Sequence, residues 1–91
     1  VTTLYHHSTL AAVSLSAGVT TLILPADGLR KNAMLYNAGT VEALLGDAGV
    51  TADNGMPMPA TTEKWTLEGS VGAWYGTVQS TPTSIRVLTC Q

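Results

Sequence analysis

Ninety-one residues carrying four Lys or Arg, six Asp or Glu and a single cysteine make one domain with one thin core, and exclude two independent domains. No stretch approaches the roughly 20 apolar residues that span a bilayer. Arg30–Lys31 is the only adjacent basic pair, and counterion release on a phosphate backbone needs a cluster of cations, which argues against nucleic acid as a partner.

Charged residues are 11% of the chain, against roughly 25% in ordinary soluble domains. Fourteen Thr and six Ser supply much of the polarity instead. At net charge −2 a lone monomer has little colloidal repulsion, so the expectation is a soluble protein that works inside an assembly, as a homodimer or homotrimer. Beginning at Val1 without a charged run followed by an apolar one, the chain is expected to be a soluble or a processed protein, compatible with a complete product made in the cytoplasm, with no secretory leader and no membrane partner. Cys90 has no second cysteine to pair with in the chain and is read as a plain thiol.

In chain order, residues 1–8 read as an N-terminal arm, with Leu4 and Tyr5 as an apolar hook for a neighbouring subunit. Residues 9–91 form the β domain. Thr9 to Ser16 places Ala11, Val13 and Leu15 on one face of a strand, and Ala17-Gly18 turns it into Val19 to Leu24, as a hairpin. Pro25-Ala26-Asp27-Gly28 is a turn, because proline fixes φ and glycine accepts a positive one. Ala33 to Asn37 and Val41 to Gly46 are two further strands, with Asn37-Ala38-Gly39-Thr40 expected to close them into a second hairpin. From Asp47 to Pro59 turn formers dominate, and Met56-Pro57-Met58-Pro59 is expected to run extended without joining a ladder.

Glu63 to Glu68 alternates cleanly, with Trp65 and Leu67 inward; as a core residue, Trp65 is expected to cost about 3–5 kcal/mol on truncation to Ala. Val71 to Val78 follows, where Trp74 and Tyr75 fall on opposite faces. In the last strand, Ser84 to Thr89, Ile85 and Val87 point one way and Arg86 and Leu88 the other. Seven or eight short strands at this spacing predict an all-β fold, a small antiparallel sandwich or barrel.

Few residues suggest chemistry. His6 and His7 are adjacent, so on a strand they face opposite ways and cannot both grip one metal ion. Asp47, Asp53 and Asn54 share a loop, as calcium ligands do, but their spacing is wrong for an EF-hand and suits turns that bond their own backbone. No Ser or Cys stands with a His and an acid in a local signature, no carboxylate pair is selected, and no glycine-rich phosphate loop occurs. The expectation is a protein that is not an enzyme, with no metal and no cofactor. Trp65, Trp74, Tyr5, Tyr36 and Tyr75 could stack on a sugar or fill the core. Since one of Trp74 and Tyr75 must face away from the core, that ring is the candidate interface anchor.

The segments Ala33-Met34-Leu35-Tyr36-Asn37-Ala38-Gly39, Leu44-Leu45-Gly46, Val50-Thr51-Ala52-Asp53-Asn54-Gly55 with its following proline, Ala73-Trp74-Tyr75-Gly76 and Ile85-Arg86-Val87-Leu88 stand in an order that resembles a short β domain common among tailed-bacteriophage virion proteins. The likeness covers about two thirds of the chain, from Arg30 onward. It implies a noncatalytic virion part, most simply a capsid decoration or cement protein bound to the major capsid protein at the capsid surface. A receptor- or glycan-binding module of a tail or fibre, and a neck or tail-completion protein, are the alternatives it leaves open.

Overall fold

Alternating apolar residues need two surfaces to bury against each other, and the chain supplies them as two sheets. The computed structural model describes residues 8–61, 64–68 and 71–90. They form eight strands and no helix: β1 (Ser8–Leu15), β2 (Thr21–Leu24), β3 (Asn32–Asn37), β4 (Ala43–Gly46), β5 (Met56–Met58), β6 (Lys64–Glu68), β7 (Trp74–Thr77) and β8 (Thr83–Cys90). One four-stranded sheet has the order β1-β8-β3-β6 and the other β2-β7-β4-β5, with antiparallel neighbours throughout. The predicted all-β sandwich is therefore the observed architecture. Of the expected arm, residues 1–7 lie outside the described residues, and Ser8 already begins β1.

Between the sheets lies a single apolar cluster. Leu15, Ala33, Leu35, Ile85 and Val87 enter it from the first sheet, and Ile23, Leu24, Ala43, Leu45 and Met58 from the second. Strand alternation directs most of these residues inward, and the register break in β2 lets the adjacent Ile23 and Leu24 both enter the core. Gly76 on β7 leaves room for this contact, because a Cβ there would stand 2.6 Å from Ile23 Cδ1 and 3.0 Å from Leu45 Cδ2.

Both predicted hairpins are absent. β1 and β2 belong to different sheets, as do β3 and β4. A turn signal marks where a strand ends, but a hairpin and an arch that carries the chain from one sheet to the other use the same residues. At the first arch Gly18 takes φ 73° and Ala17 makes an isolated parallel bridge to Val78. The second begins where Asn37, the last residue of β3, turns its side chain inward and bonds the loop that follows. Met56–Met58, expected to stay out of the ladders, is a strand paired to β4 with Pro57 opposite Leu44. The missing proline N–H is tolerated because β5 is an edge.

Trp65 and Leu67 face the core as expected, packing against it while only half-buried. β6 is an edge strand, so part of the indole stays in water. We therefore expect Trp65→Ala to cost about 2 kcal/mol, below the ~3–5 of a fully enclosed aromatic. Denaturant midpoints measure it, and an unchanged midpoint would mean the indole does not pack on the core.

Candidate functional site: the outer face of the first sheet

The strand register of the first sheet determines what its solvent side presents. Leu10 pairs with Leu88, Leu88 with Met34 and Met34 with Thr66, so three apolar side chains stand in one row across three strands. Residues facing each other across antiparallel strands share a face, and the neighbours of this row along each strand, Val87 and Leu35 among them, point into the core. The row is thus directed outward: Leu10 is 75% exposed, Leu88 37% and Met34 36%. In the adjacent outward row Ala12 pairs with Arg86, Arg86 with Tyr36 and Tyr36 with Lys64. Arg86 and Lys64, two of the four basic residues of the chain, consequently border the apolar row, with the half-buried Tyr36 ring between them.

Of the residues singled out from sequence, Leu4, Tyr5, His6 and His7 lie outside the described residues. Trp74 packs against the core cluster. Tyr75 alternates to the opposite side of β7, between Leu22 of β2 and Gly46 of β4. The outward ring of the pair is therefore Tyr75, and it belongs to the second sheet rather than to the Leu10–Leu88–Met34 row. That row was legible in one respect: Leu10, Met34 and Leu88 are the apolar residues out of phase with the inward alternation of their strands.

In the loop from Asp47 to Asn54 polar side chains bond the backbone. Asp47 Oδ1 accepts from Gly49 N at 2.8 Å, and Asn54 Oδ1 accepts from Thr51 N at 2.7 Å while its Nδ2 donates to Gly49 O at 3.3 Å. These are turn contacts, and no group of three or more His, Cys, Asp or Glu converges among the described residues. Arg30 is buried, with Nη1 donating to Pro25 O and Nη2 to Gly72 O, each at 2.8 Å. It clamps the β2–β3 connection to the β6–β7 connection, which Asp27 N also joins by donating to Val71 O at 2.9 Å. Its guanidinium serves the fold, although the sequence shows it as half of a basic pair.

Comparisons with family models, with curated proteins and with solved structures find no match to this chain.

Proposed function

We propose that this chain is a noncatalytic structural protein of a tailed-phage virion, a decoration or cement protein that binds the outside of an icosahedral head shell and ties its subunits together. The observation that carries this reading is the Leu10–Leu88–Met34 row, an apolar strip set across three paired strands and directed away from the core. Exposed apolar surface that is contiguous across strands serves association, whereas a scattered leucine does not. Arg86 and Lys64 beside it favour a shell surface that pairs an apolar strip with carboxylates. The resemblance of its segment order to that of virion β domains supports the setting.

Cementing is work suited to such a face. Each side chain buried in full contributes about 1.5–3 kcal/mol, a weak contact made strong by repetition over the shell. Apolar attachment survives salt, while the contribution of the flanking cations is screened within about 10 Å at 0.1 M. The test is mass spectrometry of purified particles before and after a high-salt wash. Retention at hundreds of copies per particle is expected. A few copies would mark a tail or neck part, and absence from the particles would overturn every virion reading.

A further inference from the structure

Four strand edges close the two sheets, and three of them are blocked against further pairing. β6 carries charge at Lys64 and Glu68. β5 is three residues long with Pro57 at its centre, and β2 is four residues long with its register broken between Leu22 and Leu24. These are the devices by which sheets refuse another strand. β1 has none of them. It runs for eight residues, Ser-Thr-Leu-Ala-Ala-Val-Ser-Leu, without charge, proline or glycine, and its register with β8 is unbroken from Ser8 to Leu15.

We propose that β1 is the docking edge for a second copy of this chain, the two β1 strands pairing antiparallel about a two-fold axis that passes beside Ala12, so that Ala12 faces its own copy. The first sheets of the two copies then form one continuous eight-stranded sheet. Several features select a second copy as the occupant. Ala11 alternates toward the core side with Val13 and Leu15 yet is exposed, so the second sheet stops short of β1 and leaves room on that flank. There a largely apolar recess of about 230 Å³ lies between the sheets, bordered by Ala11, Ile23, Leu24, Pro25 and Val87, with Asp27 and Arg30 at its polar side. The two recesses adjoin in the pair, and their walls lose water together.

An uncharged strand also meets its own copy without like-charge opposition, and small Ala12 at the axis lets the backbones approach. On the outward side Leu10 of each copy then stands opposite Ser14 of the other. An edge about 26 Å long, with its flanking side chains, buries on the order of 1,000 Å² between two copies, the low end for a specific interface. The pair is accordingly a concentration-dependent dimer.

This inference does not rest on the virion reading, because the isolated chain reports on it. Sedimentation equilibrium across the micromolar range is expected to show the mass rising from one chain to two. Ala12 is exposed on the outward face opposite Arg86, so Ala12→Glu should fold with the monomer's thermal midpoint kept and Ala12→Lys with a small loss from the facing cation, and each should raise the dimer dissociation constant at least tenfold. An equal mixture of the two variants should restore the dimer, since opposite charges then meet across the axis. A mass of one chain at every concentration, a trimer, or a dimer that neither variant weakens would overturn the proposal.

Discussion

Asn37→Ala should destabilise the domain by about 4 kcal/mol, the largest loss expected from a single side-chain truncation among the described residues. Asn37 is fully buried, and its amide makes four hydrogen bonds. Oδ1 accepts from Thr83 Oγ1 at 2.7 Å and from Gly39 N at 3.1 Å. Nδ2 donates to Val41 O at 2.8 Å and to Met58 O at 3.1 Å. One side chain thereby joins the end of β3 to the start of β8, to the arch that follows it, and to β5 in the other sheet. Alanine would strip the partners of all four bonds at once, and a buried group left unmet costs about 1–3 kcal/mol. A domain of this length has roughly 5–14 kcal/mol in total, so the loss is a large share of it.

The variant Asn37→Asp separates hydrogen bonding from shape. A carboxylate keeps the size and both accepted bonds, but sets oxygen against the Val41 and Met58 carbonyls. It should lose at least as much as alanine does at neutral pH. Urea midpoints read both variants, and a loss below about 1 kcal/mol in each would mean that water meets the orphaned groups and that the amide does not hold the two sheets together.

Leu35→Ala should cost about 3–4 kcal/mol by a different route. Leu35 is fully buried on a strand with a neighbour on each side, and its cross-strand partners are Val87 and Trp65. Removing its branched end leaves a void that these side chains fill only in part, because β8 and β6 hold them at fixed register. Leu10→Ala, at 75% exposure, serves as the comparison and should stay within about 0.5 kcal/mol of the parent. Equal midpoints for the two leucine variants would reverse the assignment of faces in the first sheet.

Much of this arrangement is written in the periodicity. Ile85 and Val87 against Arg86 and Leu88 place β8 correctly, and the alternation of Trp65 and Leu67 places β6. Where sequence reading failed, the chemistry was ambiguous rather than hidden. Ala17-Gly18 and Asn37-Ala38-Gly39-Thr40 can end a strand, but nothing local says whether the next strand returns beside it or crosses to the other sheet. Pro57 argues against a ladder only for a strand flanked on both sides, and edge position is a property of the whole sheet. Asn37 looks like a turn former because its function depends on Thr83 and Met58, which are distant in the chain. The outward row needed the register as well: Leu10, Met34 and Leu88 are each unremarkable alone and become a surface only when three strands bring them abreast.

The arches that replaced the hairpins also govern how the molecule is made. Among the described residues β4 and β5 are the only consecutive strands that lie in the same sheet, so local pairing can nucleate little else. β8 sits between β1 and β3, with Ser8 opposite Cys90, and β1 has no partner within its sheet until that distant strand arrives. Loop closure over such separations is slow. During translation, β1 leaves the ribosome with both edges bare and remains so while nearly all of the described chain is synthesised behind it. A strand without charge or proline in that state is vulnerable to the same strand on a neighbouring nascent chain. The sequence that suits β1 for the proposed pairing of finished copies thus exposes unfinished ones to premature association.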